Sequence, residues 1–222
     1  VRDLSDIGLF EKQLQLFEGF VQRPNGLVLV TGPTGSGKTT TLYSALRAVV
    51  SPEINVTTIE DPIEIVVDQF NQVEVQNKIG VTFAEALRHL LRQDPGVSMV
   101  GEVRDVETAN IAIQAALTGH LVLATLHTND SASAITRLLE LGVDPFLLSS
   151  TLVGVVAQRL VRMICPHCRI ETFLTPDQMS LLGLDTMNLA AQGEAPQLMV
   201  AAGQGCVKCR QTGLLGRSGV FE

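Results

Sequence analysis

The chain of 222 residues is 45% hydrophobic and 18% charged, enough for one well-buried domain with a small appendage. Its net charge of −7 argues against a duplex-binding face, and one Tyr with no Trp leaves few side chains to stack on bases. No apolar run reaches the roughly 18 residues of a membrane span, and no signal peptide opens the chain, so a cytoplasmic protein is predicted.

Short apolar strands alternate with amphipathic helices over the first two thirds of the chain. The predicted strands are 27–30, 55–59, 97–100 and 121–126. The predicted helices are 10–22, 40–50, 82–93, 106–119 and 131–142. This alternation indicates an α/β fold with a mostly parallel central sheet. After about Val156 the pattern changes, and residues 160–212, which contain all four cysteines, are predicted to form a small insertion.

The segment GPTGSGKT (Gly32–Thr39) matches the phosphate-loop pattern G-x-x-x-x-G-K-[ST] in full, between a predicted strand and a predicted helix. Backbone N–H groups and the helix N-terminus would face the phosphates, Lys38 would reach the β- and γ-phosphates, and the Thr39 hydroxyl would hold Mg²⁺. The predicted nucleotide-binding residues are Gly32, Pro33, Thr34, Gly35, Ser36, Gly37, Lys38, Thr39 and Thr40. The motif predicts ATP or GTP binding, and a Gly-rich turn without function is the alternative.

Carboxylates follow two of the predicted strands. The segment TIEDPIE (Thr58–Glu64) follows the second strand, and Glu102 follows the third, where a magnesium-holding Asp would be usual. Because ligands bind at the carboxyl edge of a parallel sheet, these acids are candidates for metal binding and water activation. Acids after strands also solvate loops or cap helices, and Asp105 is predicted to be such a cap.

Two histidines flank the fourth strand in TGHLVLATLHTND. Seven extended residues at about 3.3 Å each separate them by roughly 20 Å or more, so they cannot both contact one phosphate. His127, after the strand, is the better candidate for sensing the γ-phosphate. His120, before it, is expected to be structural or to serve another surface.

Three arginines lie in or beside the elements that lead to the predicted nucleotide edge. Arg88 and Arg92 share one helix face at i,i+4, and Arg104 follows Glu102 by two residues. They are either solvated surface charges or fingers that neutralise transition-state charge, in their own subunit or in a neighbour's. Both interpretations remain open, and Arg104 is the one placed among the catalytic candidates.

All four cysteines lie in two C-x-x-C pairs, CPHC and CVKC. Cys165, Cys168, Cys206 and Cys209 therefore have the spacing of a tetrahedral Cys₄ zinc site. A reducing cytoplasm disfavours disulfides, so structural zinc is favoured over redox chemistry. Four thiolates complete the coordination shell, which leaves His167 as an unneeded candidate ligand and makes a catalytic role for the metal unexpected.

Together the motifs resemble the secretion ATPases of type II secretion and type IV pilus assembly over nearly the whole chain. The matching segments are GPTGSGKTTTLYSAL, TIEDPIE, MVGEVRD, TGHLVLATLHTND, CPHC…CVKC and GLLGRSGVFE. The resemblance implies a RecA-like ATPase domain whose Walker B strand ends in Gly-Glu, with Glu102 assisting Mg²⁺ and water. It also implies that Glu64 is the catalytic glutamate and that His120 and His127 belong to the family's histidine box.

The resemblance also carries expectations about the whole protein. The cysteine pairs are typical of assembly (extension) motors and secretion ATPases, and retraction motors and conjugation-type relatives lack them. The family works as a hexamer with ATP between an N-terminal domain and a C-terminal RecA-like domain. Because the chain begins at Val1 rather than Met, residues 1–222 are expected to be the C-terminal domain alone, with the N-terminal domain absent.

The main hypothesis is therefore an ATP-hydrolysing motor that uses ATP, Mg²⁺ and Zn²⁺. It would act from the cytoplasmic side on an inner-membrane platform protein that extracts pilin-like subunits. One alternative is a RecA-like nucleic-acid motor, against which the acidic charge and scarce aromatic residues count. The other is a non-hydrolysing nucleotide-binding interaction module.

Overall fold

The computed structural model describes residues 2–184 and 198–222. The chain forms two compact units, one of residues up to 160 together with 219–222, the other of residues 161–218. The predicted insertion, 160–212, includes residues 185–197, which lie outside the described residues.

The strands confirm a mostly parallel sheet. They are β1 (Gly26–Thr31), β2 (Val56–Glu60), β3 (Asn71–Glu74), β4 (Val97–Val100), β5 (Leu121–Leu126), β6 (Leu152–Ile164), β7 (Arg169–Phe173), β8 (Met199–Gly203) and β9 (Leu214–Phe221). Within the described residues, one sheet has seven strands in the order β3-β2-β4-β5-β1-β6-β9. The pairs from β3 through to β6 are all parallel. Ala157 and Glu222 exchange two backbone hydrogen bonds, the antiparallel pattern, where β6 meets the end of the chain.

Six helices in the described part of the first unit lie on the two faces of this sheet: α1 (Glu11–Val21), α2 (Lys38–Val49), α3 (Phe83–Leu91), α4 (Val106–Leu117), α5 (Ser131–Glu140) and α6 (Pro145–Thr151). The described part of the second unit contains the helix α7 (Pro176–Leu181). Strand β1 is buried on both faces: Leu27 and Leu29 pack in the core beneath α3 to α6, whereas Val28 and Val30 pack beneath α1 and α2. Such two-sided burial accounts for its unbroken apolar sequence.

Parallel pairing brings the carboxyl ends of β1, β2, β4 and β5 to one edge of the sheet. The phosphate loop follows β1, the acidic segment follows β2, Glu102 follows β4 and His127 follows β5. All the predicted site elements of the first unit therefore converge on that edge.

The described residues of the second unit include few buried hydrophobic side chains. Strands β7 and β8 form an antiparallel pair. Among the described residues of 161–218, the buried hydrophobic side chains are Cys165, Met179 and Cys209. In neither unit do the described residues include a helix both long and apolar enough to span a membrane.

Candidate functional site

The phosphate loop joins β1 to α2, whose first residue is Lys38. Lys38 is buried, and its Nζ donates to the carbonyl oxygens of Gly32 (2.9 Å) and Pro33 (3.2 Å). The same Nζ lies 3.5 Å from His127 Nδ1. The ammonium group is thus folded back over its own loop, at the position from which it can reach a phosphate.

Two buried polar atoms, one in the phosphate loop and one beside it, bear on whether the loop fits a nucleotide. Ser36 Oγ and Gln158 Oε1 have no hydrogen-bond partner among the described residues, although Gln158 Nε2 donates to the Ser36 carbonyl at 2.6 Å. Buried hydroxyls are nearly always paired, so an orphan within a phosphate loop is a donor available to an incoming oxygen. The loop therefore fits the phosphates of a nucleotide.

Glu102, after β4, is held between a cation and a histidine. Its Oε2 accepts a hydrogen bond from Arg104 Nε at 2.7 Å, and its Oε1 lies 3.2 Å from His127 Nε2. Arg104 also approaches Asp61 of the acidic segment at 3.5 Å. His127 consequently lies between Glu102 and Lys38, and the structure brings these predicted residues together.

Glu64 and Glu102 both act electrostatically on Lys38. Burial removes water from the ammonium group and lowers the pKa of Lys38, while the two carboxylates act to raise it. Glu64 is exposed and lies on the segment after β2, so its carboxylate faces the same edge as the loop. The edge therefore brings two acids and one lysine together beside the phosphate loop, a set of charges compatible with a bound metal–triphosphate.

A threonine pair fixes where His127 emerges from β5. Thr31, the last residue of β1, and Thr128 have their hydroxyl oxygens 2.7 Å apart, and the Thr128 N–H donates to Thr31 Oγ1 at 2.9 Å. Asp130 then caps α5 through the Ser133 N–H at 2.7 Å. The turn that carries His127 is therefore tied to the strand that precedes the phosphate loop.

Several predicted residues lie away from this cluster. His120 precedes β5, at the other end of the strand from His127, and its Nδ1 lies 3.1 Å from the Ala115 carbonyl. Arg88 is bound on the surface to Glu85 and Glu107, each at 2.6 Å. Arg92 is exposed at the end of α3. Asp105 caps α4 by accepting from the Thr108 N–H.

Sequence reasoning missed a buried polar network that includes the beginning of the acidic segment. Its members are Tyr43 on α2, Thr58 and Glu60 on β2, and Gln72 on β3. The available signal was the chain's single Tyr, placed five residues after Lys38 within a run of helix α2, residues 41–46, that is buried throughout. A phenol among buried apolar positions must find a polar partner, and Glu60 is that partner.

The four cysteine sulfurs form one cluster in the second unit. All four Sγ atoms lie within 4.8 Å of one another, with Cys165–Cys206 at 3.9 Å and Cys168–Cys209 at 3.8 Å. Tetrahedral zinc with bonds of about 2.3 Å places its sulfur ligands about 3.8 Å apart. The donors and their spacing therefore fit zinc.

Backbone donors favour the thiolate form of Cys209. The N–H groups of Cys206 and Gly213 lie 3.1 and 3.3 Å from Cys209 Sγ. Desolvation acts to raise the pKa of the Cys209 thiol, but these two backbone donors together with the Cys206 and Cys168 thiols outweigh it and bring the pKa to about 6, whereas desolvation raises the pKa of Cys168. Hydrogen bonds to the atoms that bind a metal orient those ligands, and these N–H groups would do so for Cys209.

A phosphate loop at the carboxyl edge of a parallel sheet, with acids from two neighbouring strands beside it, defines a P-loop nucleotide-binding domain. The chain belongs to the type II/IV secretion system protein family, whose model matches residues 1–222.

Individual relatives support this assignment. The chain is 50% identical to the type IV pilus assembly ATPase TfpB of Acinetobacter baylyi over 100% of the chain and 37% of that protein. It is 49% identical to type II secretion system protein E of Pseudomonas aeruginosa over 99% of the chain and 42% of that protein. The crystal structure of the pilus retraction motor PilT with bound ADP matches 75% of this chain and 50% of that chain, with 39% identity and a TM-score of 0.64. The chain thus spans less than half the length of the two curated relatives.

Proposed function

We propose that the protein containing this chain is an ATP-hydrolysing motor that powers assembly of a type IV pilus or a type II secretion pseudopilus. The observation that carries the proposal is the convergence of Lys38, Glu64, Glu102 and His127 at one sheet edge. The names of the relatives, which are pilus assembly and secretion proteins, support the choice of machine.

Each residue of the site has a role in this proposal. Residues Gly32 to Thr40 hold the triphosphate, and Lys38 exchanges its two carbonyl partners for phosphate oxygens. Glu64 orients and deprotonates the attacking water. Glu102 would hold water molecules bound to the metal, and His127, in contact with Glu102, would sense the γ-phosphate. Mg²⁺, held by Thr39 when bound, would neutralise charge on the phosphates.

Arg104 connects the two acidic segments of the site. It bonds Glu102 and approaches Asp61, so it keeps Glu102 from turning away before the nucleotide arrives. In an oligomer the same exposed guanidinium is free to exchange these partners for a phosphate, as an arginine finger does. The proposal therefore places Arg104 in the catalytic set and does not assign that function to Arg88, which bonds Glu85 and Glu107.

The whole protein is proposed to be a hexamer that binds an inner-membrane platform protein from the cytoplasmic side. In this proposal, residues 1–222 are the C-terminal RecA-like domain, and about 160–212 are its zinc-binding part. Its Cys165, Cys168, Cys206 and Cys209 would hold Zn²⁺ as a structural ion. An N-terminal domain would complete the nucleotide site.

The test is Mg-ATP hydrolysis by the full-length protein over a range of protein concentrations, with Glu102→Gln beside it. We expect wild-type specific activity to climb with concentration, as an oligomeric site requires. Glu102→Gln should bind ATP with unchanged affinity and turn it over at least about 100-fold more slowly. Glu140→Gln, an exposed acid on α5, is the matched control and should match wild type. Wild-type binding without turnover would instead mean a nucleotide switch.

A further inference from the structure

A buried hydrogen-bond network lies directly behind the segment that carries Glu64. Glu60, the last residue of β2, is 3% exposed, and its carboxylate oxygens lie 2.8 and 2.7 Å from the Tyr43 hydroxyl. Thr58 Oγ1 donates to Glu60 at 2.6 Å, and Gln72 Nε2 donates to it at 3.2 Å. Three neutral donors therefore satisfy one buried carboxylate, which is unavailable for contact with water or nucleotide.

Gln72 also holds the backbone directly after the acidic segment. The Ile65 carbonyl lies 3.0 Å from the Tyr43 hydroxyl and accepts from Gln72 Nε2 at 3.0 Å. Gln72 Oε1 accepts from the Val67 N–H at 2.7 Å. The Gln72 side chain thus makes two hydrogen bonds with this backbone, one at Ile65, directly after Glu64, and one at Val67.

Tyr43 connects these hydrogen bonds of Gln72 to the phosphate loop. It lies on α2, the helix that begins at Lys38, and its ring packs against Phe70 with centroids 5.9 Å apart. Helix α2 therefore presents Lys38 at its first residue and the Tyr43 hydroxyl one and a half turns later. Helix α2 and the Tyr43 hydroxyl, which accepts from Gln72 Nε2 at 2.8 Å, therefore connect the loop to the backbone beside Glu64.

The two glutamates of the acidic segment differ in burial, and this difference suits them to different roles. Glu60 is enclosed by its donors, whereas the Glu64 side chain is exposed at the sheet edge. An exposed side chain on a loop has many orientations unless its backbone is held. The contacts at Ile65 and Val67 supply that restraint.

We propose that Tyr43 and Gln72 are positioning residues that, anchored on Glu60, fix the backbone beside Glu64 relative to the phosphate loop. The inference rests on the proposed function, in which Glu64 activates water. A displacement of about 1 Å in such a group lowers catalysis by up to about 100-fold while leaving nucleotide binding intact. The network is thus expected to act on kcat and not on KM.

The experiment compares Tyr43→Phe and Gln72→Glu in the full-length protein. Tyr43→Phe keeps the ring against Phe70 and removes the hydroxyl. Gln72→Glu keeps the acceptor for Val67 and replaces the donor to Ile65 with a carboxylate beside Glu60. We expect each to lower kcat for Mg-ATP by roughly 10- to 100-fold, with KM and ATP affinity within about twofold of wild type.

Ser98→Ala is the matched control for lost buried polarity. Ser98 Oγ lies 3.0 Å from Thr57 Oγ1 between β4 and β2, and both residues are buried on strands that lead to the site. Its loss should lower the melting temperature as much as Tyr43→Phe does and leave kcat within twofold. Equal kcat losses in the two variants at equal melting temperatures would overturn the proposal.

A double variant separates this inference from the proposed function. If Tyr43 acts through Glu64, adding Tyr43→Phe to Glu64→Gln should lower the residual rate by less than twofold. A further loss of 10-fold or more would contradict positioning through Glu64. Should wild type hydrolyse ATP and Glu64→Gln match it, the proposed role of Glu64 fails. Should Glu64→Gln lose activity while Tyr43→Phe keeps it, only the positioning inference fails.

Discussion

Lys38 holds its charge in a buried position that favours the neutral form. Burial lowers the pKa of Lys38 from its ordinary 10.5, and Glu102 and Glu64 offset part of this effect. In the nucleotide-free loop, the charged ammonium group of Lys38 is therefore less well solvated than it would be in water. The same desolvation strengthens the attraction between this cation and an incoming triphosphate.

The lowered pKa predicts a pH-dependent stability for the nucleotide-free protein. Between the folded pKa of Lys38 and 10.5, the unfolded chain binds more protons than the folded chain, so the free energy of unfolding should rise with pH. Below that window the destabilisation is fully present. Urea unfolding of wild type and Lys38→Met from pH 7 to 10.5 should show a difference that changes only in the upper part of the range. A constant difference would contradict the prediction.

Individual site residues could be predicted from the sequence where the motif itself is local. Lys38 and Thr39 lie within one contiguous pattern, and Glu102 and His127 follow apolar strands that sequence periodicity identifies. Gln72 could not be predicted, because it belongs to a short polar edge strand, and its contacts with Tyr43 depend on β3 pairing with β2. Long-range pairing of this kind leaves no signal in local periodicity.

The backbone of the phosphate loop depends on Gly32. Its φ of +149° is a conformation that side chains rarely adopt, and an added Cβ would meet the Gln158 carbonyl and Ser36 Oγ. Gly35, at φ +76°, has open space at the same position. A side chain at Gly35 would therefore meet backbone strain alone, whereas a side chain at Gly32 would meet both backbone strain and steric contact.

Alanine at these two positions should have different costs in the nucleotide-free protein. Gly35→Ala should lower the free energy of unfolding by about 1–2 kcal/mol, the cost of left-handed backbone alone. Gly32→Ala should cost at least about 1 kcal/mol more, because β6 and Ser36 must also move. Urea titrations of both variants measure the difference. Equal destabilisation would show that the loop can yield around a Cβ at Gly32.

Helices and strands could be predicted where their own residues form an apolar run or an amphipathic period. Strands β1, β2, β4 and β5 and helices α1 to α5 lie within one or two residues of the predicted ranges, because buried apolar runs and amphipathic periods are local. Strand β6 was missed: its buried part ends near Gln158, and the rest is a run of exposed and half-buried residues. Strand β3 has mixed polar residues at the sheet edge and no apolar alternation.

At the scale of the whole molecule, the two units are stabilised by different means. The first has two apolar clusters on the two faces of its sheet. In the described part of 161–218, by contrast, the buried hydrophobic side chains include two of the four cysteines and one methionine. So little apolar burial among the described residues of a small unit is typical of domains that a crosslink or a structural metal stabilises.

Metal removal should therefore unfold residues 161–218 and spare the first unit. Structural zinc contributes about 10–16 kcal/mol in small zinc-binding peptides, far above what the described apolar contacts of this unit supply. After chelation, amide hydrogen exchange in 161–184 and 198–218 should accelerate by roughly 100-fold or more, including the Cys206 and Gly213 N–H groups that face Cys209. Exchange in β1, β4 and β5 should be unchanged, as should ATP binding.

Substitutions at single residues test whether the four cysteine thiolates are the ligands of the zinc ion that chelation removes. Cys206→Ser should lose bound zinc, measured by elemental analysis against a wild-type content of one ion per chain, and should exchange like the chelated protein. His167→Ala, within the same CPHC segment, should keep its zinc because the four sulfurs already form a complete tetrahedral set. Zinc lost from His167→Ala, or chelated protein that exchanges like wild type, would contradict a structural Cys₄ site. The first result would assign a ligand to the histidine, and the second would mean that the unit is stabilised without metal.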